Sequence, residues 1–442
     1  MNYKHLQDVK TALENLNLDL PLSENIDILR KPVEHFPIPN RLAIQPMEAA
    51  DGNPDGSPSE LSIRRYHRYA RGGAGLIWFE AVSIEPEARA NPRQLMLTKE
   101  NTDTYKRLLD DIREISQKEN GYIPMIIIQS NHSGRYSKPA GKSAPIIAYN
   151  NPLYEKDSPI PKEHIITDDE LKRLEESHAV SAKLSEAVGF DGFEVKACHR
   201  YITSELFSAY ERSGDYGGCF VNRIRFFVNS IKAADAATNK MTITTRINLY
   251  DGFPHPYGWG VAKDGSITPD LTEPLHLIDI LYNEYGLDLF NFTCGNPYVN
   301  PHVNRPFDKG SYESPEHPLE GVARMSSLIA LVKREYPKLT VVSSAYSYLR
   351  HLSLYHAAGM IESGSADIAG YGRMAFAYPD FAKDILANGS MDKNKSCITC
   401  SKCTELMRAG TYSGCPVRDS DIYAPLYREH VIKQEIGSSK IT

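Results

Sequence analysis

The sequence has no run of roughly 18 or more apolar residues, the length an apolar helix needs to cross a bilayer. Its first twenty residues, MNYKHLQDVKTALENLNLDL, lack the apolar stretch and small-residue cleavage site of a secretory leader. Charge of one sign is also scarce. A net charge of −6 over 442 residues leaves no basic footprint for nucleic acid or an anionic membrane. The cysteines are not spread as an extracellular disulfide framework would be. Four of the seven crowd into residues 397–415, while Cys198, Cys219 and Cys294 lie far apart. No G-x-G-x-x-G opens a helix after the first strand, which counts against an open, doubly wound dinucleotide fold. No internal repeat or low-complexity tract stands out. These absences lead to the expectation of a cytoplasmic globular protein that engages neither nucleic acid nor membrane. They leave homo-oligomer formation undecided.

What is present is an alternation. Short, nearly continuous apolar runs occur at 42–47, 75–81, 124–130, 192–197, 241–248, 289–293, 340–345 and 366–372, with helical amphipathic stretches between them. Such runs suit parallel strands covered on both faces. The clearest helix spans 168–188. Thr167 and Glu170 form a capping-box pattern ahead of it, and Gly189 follows as a stop. Eight β-then-α units predict an α/β fold, a (β/α)8 TIM barrel, with functional residues at the C-terminal ends of the strands. Residues 1–39 read as an added helix and a Pro-rich lead-in that closes the barrel bottom. Long connections after strands 3 to 6 mark the functional face. The expected division is a barrel over 1–388 and a C-terminal extension over 389–442.

Cys397, Cys400, Cys403 and Cys415 stand as C-x2-C-x2-C-x11-C-P. Three thiolates at this pitch converge from one loop, and the fourth arrives from the next segment. Thiolates select zinc or iron–sulfur clusters over hard cations. One remote cysteine after a C-x2-C-x2-C run is nearer a [4Fe–4S] pattern than the paired C-x2-C motifs of structural zinc, though zinc stays open.

An ordered set of motifs then runs from Asn40 to about Pro416. Asn40-Arg41 with Pro46-Met47 lies on the first strand, and GAGLIWFEA (73–81) on the second. Gln129-x-x-His132-x-Gly134-Arg135 follows the third, and GFDGFEV (189–195) leads into the fourth. Tyr201 and ERSGDYGG (211–218), with Asn222-Arg223, come after it. Arg246 sits on the fifth strand, and Gly372-Arg373 with Pro379-Asp380 on the eighth. The set resembles the old yellow enzyme superfamily, specifically its iron–sulfur branch of 2,4-dienoyl-CoA reductase, 2-enoate reductase and trimethylamine dehydrogenase.

The resemblance implies a non-covalent FMN at the barrel mouth. Pro46, Met47 and Ala81 would pack on it. Gln129 would meet its pyrimidine edge, and Arg246 would put positive charge where reduction leaves negative charge. Arg373, beside Gly372, would clamp the phosphate. The strand-7 loop departs from the family. Relatives are Gly-rich there, whereas this chain reads Ser343-Ser344-Ala345-Tyr346-Ser347, so Ser344 and Ala345 would have to serve the phosphate. ERSGDYGG is read as a salt-linked structural corner of Arg212, Asp215 and Arg223.

On the substrate side, the tyrosine at the position of Tyr201 donates a proton in the reductases. Lys196 and His199 occupy the positions of an oxygen-holding His and Asn, a change that keeps a cation and an imidazole at the oxygen. His302, in CGNPYVNPHVNRPF (294–307), is the candidate assistant to the tyrosine, with Tyr298 and Arg305 as weaker candidates. DGFPHPYGWG (251–260) is expected to shape the substrate pocket.

Multidomain relatives append FAD- and NAD-binding domains after the cluster, and no G-x-G-x-x-G follows Cys415 here. The expectation is therefore an external electron donor: ferredoxin, a partner flavoprotein or NAD(P)H. The leading function is reduction of the activated C=C bond of a small-molecule enoate or enoyl thioester, with hydride from the flavin and a proton from Tyr201. The alternatives are oxidative amine dehydrogenation or N-demethylation, and a non-catalytic electron-transfer subunit.

Overall fold

The structure is a computed structural model and describes residues 3–433. Eight parallel strands close into a barrel in sequence order. They are β1 (Leu42–Ile44), β2 (Leu76–Ser83), β3 (Met125–Asn131), β4 (Gly192–Ala197), β5 (Thr242–Tyr250), β6 (Leu289–Cys294), β7 (Thr340–Ser343) and β8 (Ile368–Tyr371). Every expected apolar run became a strand. The barrel closes through the pairing of β1 with β8, Ala43 opposite Gly370.

β1, β7 and β8 stop pairing earlier than their apolar runs do. Pro46 has no N–H to give the ladder, so β1 ends at Ile44. Ala345 turns left-handed at φ 80°, which ends β7. At each point the freed backbone turns toward the top of the barrel, where the strands' C-terminal ends gather.

Outward-facing strand residues pack on the helical ring. The helix Asp168–Val188 begins with the expected reciprocal cap between Thr167 and Glu170, and Gly189 ends it at φ 104°. The N-terminal segment does two jobs. Val33 and Ile38 plug the barrel bottom against Leu76, Trp78, Met125 and Leu289. The first helix, Leu6–Asn15, instead packs on the outer wall, with Val9 and Leu13 against Leu319, Val322 and Leu349.

The last segment folds back over the barrel mouth. Leu406, Tyr423 and Val431 form a small cluster of their own. Arg64 and Arg68, on the helix Glu60–Arg71, both pair with Asp419. Ser413 N donates to Ala49 O at 2.7 Å. The cysteine-bearing loop is thus bonded to the segment that leaves β1. No described helix is long and apolar enough to cross a membrane.

Candidate active site

At the top of the barrel lies a cavity of about 1110 Å³, counted out to its open rim. Pro46, Met47, Ala81, Gln129, Lys196, His199, Tyr201, Arg246, Ser344, Ala345, Gly372 and Arg373 all line it. With Tyr298 and Arg305 from the loop after β6, fourteen residues read from the sequence, drawn from all eight strands and their loops, therefore meet at one place. This is the expected consequence of strand ends converging at the C-terminal face.

The cavity floor is a polar lattice. Gln45 and Asn291 exchange amide hydrogen bonds across the barrel at 3.1 and 2.7 Å. Gly370 is required beneath them, since a Cβ there would lie 2.1 Å from Gln45 Nε2. Gln129 donates its amide nitrogen to both oxygens of Glu194, at 2.9 and 2.8 Å. Its carbonyl oxygen is left as the group available to a ligand. Glu194 is fully buried and is pushed up to about 7 by that burial.

The loop after β4 brings His199 and Tyr201 to the cavity. His199 and Arg200 are both left-handed, at φ 66° and 60°. This double turn directs His199 into the cavity and carries Arg200 away to a buried pair with Asp251 at 3.1 Å. Burial, together with the charges of Arg246, Lys196 and Arg305, holds His199 far below its usual range, so its imidazole is neutral. Its Nε2 lies 3.2 Å from the Asn304 amide. Lys196 sits with its ammonium 4.0 Å from the centre of the Tyr201 ring. Burial presses its pKa down, while the carboxylates of Glu48 and Glu194 pull against that.

Tyr201 and Tyr298 join hydroxyl to hydroxyl at 2.6 Å. Tyr298 stacks on Tyr136 at 3.9 Å between ring centres. The Asn296 amide donates to Tyr136 at 2.7 Å, and its carbonyl oxygen accepts from Tyr298 N at 2.8 Å. Burial keeps both phenols of the pair protonated, with pKa values raised.

His302 does not join them. It lies outside the cavity with its Nδ1 on the Tyr312 hydroxyl at 2.5 Å. On the short helix Pro301–Asn304, residues two apart face opposite sides, because each residue advances about 100°. Asn304 takes the inward side and His302 the outward one. The segment 251–260 also stands apart: none of it lines the cavity, and Trp259 packs on Phe207 at 4.7 Å. The ERSGDYGG corner is salt-linked as expected, with different acids. Arg212 pairs with Asp168 and Arg223 with Glu273, while Asp215 contributes its backbone N–H to Asp168.

Sequence reasoning missed Glu48. It lines the cavity, accepts from Asn91 at 2.7 Å, and is pushed up to about 7 by burial against the pull of Lys196. The residue follows Pro46-Met47 directly, but nothing local marks it as inward-facing.

The strand-7 loop keeps a left-handed turn at Ala345 despite lacking glycine there. An alanine in that region costs on the order of 1 kcal/mol, strain of the kind stored at ligand sites. Three guanidinium atoms around the cavity, Arg246 Nε, Arg305 Nη1 and Arg373 Nη1, are buried with no hydrogen-bond partner in the protein. Buried donors are nearly always satisfied, so their pattern fits an anionic, acceptor-rich cofactor. Burial and the guanidiniums of Arg373 and Arg408 press Arg305 down to about 10.

Behind the Arg373 wall is a second chamber of about 360 Å³, lined by Cys397, Cys400, Cys403 and Cys415. Cys403 and Arg373 line both spaces. All four cysteines are free thiols. Burial pushes Cys397 up to about 12 and Cys415 to about 11. Thr399 N and Arg418 N each donate to a cysteine sulfur at 3.4 Å. Among the described residues, no group of three or more His, Cys, Asp or Glu side chains could hold a metal ion as it stands.

Fold and site together define a barrel enzyme whose mouth cavity presents buried guanidinium donors that no protein group satisfies. The sequence profile of the NADH:flavin oxidoreductase / NADH oxidase family matches residues 32–257. The chain belongs to that family, within the old yellow enzyme superfamily. It is 28% identical over 204 residues to an NADPH dehydrogenase of Clostridium acetobutylicum, covering 46% of this chain and 57% of that one. It is 25% identical to an NADH oxidase of Thermoanaerobacter brockii over 82% of this chain and 51% of the other. The chain thus spans little more than half the length of these relatives. Among solved structures, a 2-naphthoyl-CoA reductase complex superposes with a TM-score of 0.71 at 18% identity, over 89% of this chain and 57% of that one.

Proposed function

We propose that the mouth cavity holds FMN and that the protein reduces activated C=C bonds of enoate or enoyl-thioester type. Gln129 and Arg246 would hold the flavin's pyrimidine side, Pro46, Met47 and Ala81 its faces, and Arg373 with the Ser344–Ala345 turn its phosphate. When bound, the flavin supplies a two-electron hydride donor at its N5.

The protein's own residues do the rest. The neutral His199 and the Lys196 ammonium bind the substrate's activating oxygen and stabilise the negative charge that develops there. Tyr201, kept protonated by burial, holds the proton destined for the α-carbon. Tyr298 fixes that hydroxyl's direction and stands ready to reprotonate it. The observation that carries this reading is the close phenol pair set against the Lys196 ammonium. Anaerobic reoxidation of chemically reduced protein by a panel of enoates tests it. Reoxidation by none of them overturns it.

The four cysteines, Cys397, Cys400, Cys403 and Cys415, are proposed to hold a [4Fe–4S] cluster, which would supply one-electron chemistry between an external donor and the flavin. All four thiols line one chamber, the donor set such a cluster would take. A shared chamber wall with the cofactor cavity supports the route. The extension from about residue 389 is proposed as the unit that carries the cluster, with the barrel over 1–388. An ammonium substrate would call for an aromatic pocket, yet of Tyr250, Tyr257, Trp259 and Tyr298 in the loops after β5 and β6 only Tyr298 lines the cavity, and Lys196, Arg246, Arg305 and Arg373 outweigh Glu48 there. Both facts favour an anionic or neutral substrate over an ammonium ion.

A further inference from the structure

We propose that Arg305, from the loop after β6, is a second phosphate ligand of the cofactor, acting as one arm of an arginine pair with Arg373. The inference rests on the mouth cavity being the flavin site. Arg305 and Arg373 both line that cavity, beside Ser344, Ala345 and Ser347. Arg373 Nη2 donates to Pro306 O at 2.7 Å, which ties its guanidinium to the residue next to Arg305. Each arginine keeps a buried Nη1 with no hydrogen-bond partner. Among the described residues, no carboxylate forms an ion pair with either. Two guanidiniums held together without an acid between them repel one another, and a dianionic phosphate in the gap removes the repulsion and satisfies both open donors.

The strand-7 loop explains why a second cation is needed. Two of the hydroxyls that stand where glycines would expose backbone N–H groups, those of Ser343 and Ser344, already have their protons engaged. Ser343 Oγ bonds the Tyr346 hydroxyl at 2.5 Å and Ile368 O at 3.1 Å. Ser344 Oγ donates to Phe292 O at 2.9 Å and accepts from Gln45 at 3.1 Å. Ser347 Oγ accepts from Met374 N at 3.2 Å, which leaves only its single proton for the phosphate. What the loop does not offer the phosphate, Arg305 supplies from the other side.

FMN and riboflavin differ only in the phosphate, so their comparison isolates this contact. Dissociation constants for both flavins are measured by fluorescence on the full chain, for the parent, Arg305→Gln and Arg305→Lys, with iron content measured alongside. The parent is expected to prefer FMN strongly. Arg305→Gln should weaken FMN at least about tenfold and leave riboflavin unchanged, with Arg305→Lys in between. Equal weakening of both flavins, or no weakening of either, overturns the proposal. Loss of iron with flavin preference intact also overturns it, and assigns Arg305 to the cysteine chamber. A parent that binds neither flavin refutes the flavin site itself, a result distinct from FMN binding that ignores Arg305.

Discussion

The hydroxyls of Tyr201 and Tyr298 lie 2.6 Å apart at the barrel mouth, and they come from loops that follow different strands. In the proposed reduction one phenol of this pair would face the reacting carbon and the other would hold its orientation. Tyr201→Phe is expected to slow reoxidation of the reduced protein by an enoate by roughly 10²–10⁴-fold, the usual worth of a positioned proton donor. FMN content should not change. Tyr298→Phe should cost about tenfold, because Tyr201 retains its proton but loses its partner. Single-turnover reoxidation followed at the flavin absorbance checks both, and equal losses for the two variants would contradict the division of roles.

Glu48 gives the cavity a pH dependence. Its carboxyl is pushed up to about 7, so it is neutral below that pH and charged above it. A carboxylate-bearing enoate should therefore bind more weakly as pH rises through about 7, on the order of tenfold if the two charges sit a few ångströms apart. In Glu48→Gln most of that limb should disappear, leaving only the smaller part due to Glu194, which lies beneath Gln129 and is also pushed up to about 7. A thioester or amide analogue without the carboxylate should show no such limb in either protein.

The barrel was readable because strands buried on both faces leave nearly continuous apolar runs, and all eight of those runs became strands. The cysteine pattern was readable because its spacing is local. Glu48, Gln45 and Glu194 were not, because a polar residue inside a barrel is marked only by neighbours from other strands, such as Asn291 for Gln45 and Gln129 for Glu194. His302 was assigned inward for a related reason. The resemblance called for a histidine from the β6 loop, but the helical turn that points Asn304 at His199 sends His302 the other way.

Three buried histidines tie stability to pH. Burial lowers His132, His178 and His356 from 6.5 to about 4. Between those values the unfolded chain binds more protons than the folded one. Stability is therefore complete above about 6.5 and falls as pH drops toward 4. At pH 5 each histidine removes on the order of 2 kcal/mol. Denaturant unfolding at pH 7.5 and 5 measures the loss. His178, whose Nδ1 meets Leu174 O at 2.9 Å, allows a single-site check. His178→Gln is expected to be less stable at pH 7.5 and to lose less on acidification. An unchanged loss would show that this ring does not carry its share.

Cys403 stands in the wall between the two chambers, so its replacement should separate electron entry from substrate chemistry. With a [4Fe–4S] cluster on the four thiols, the parent should contain roughly four irons and four labile sulfides per chain. Neutral thiols are favoured in this buried chamber, since burial raises Cys397 and Cys415. Deprotonation must then be driven by the metal, and loss of one ligand should empty the site. Cys403→Ser is thus expected to lose most of its iron and its reduction by a low-potential donor such as ferredoxin. FMN should remain bound, because Gln129, Arg246 and Arg373 are untouched, and chemically reduced Cys403→Ser protein should still be reoxidised by enoate at close to the parent rate. Loss of that chemical step along with the iron would mean that the cysteine loop also shapes the substrate cavity. One zinc and no labile sulfide in the parent would remove the redox role altogether and leave the loop as a clip between the extension and the barrel.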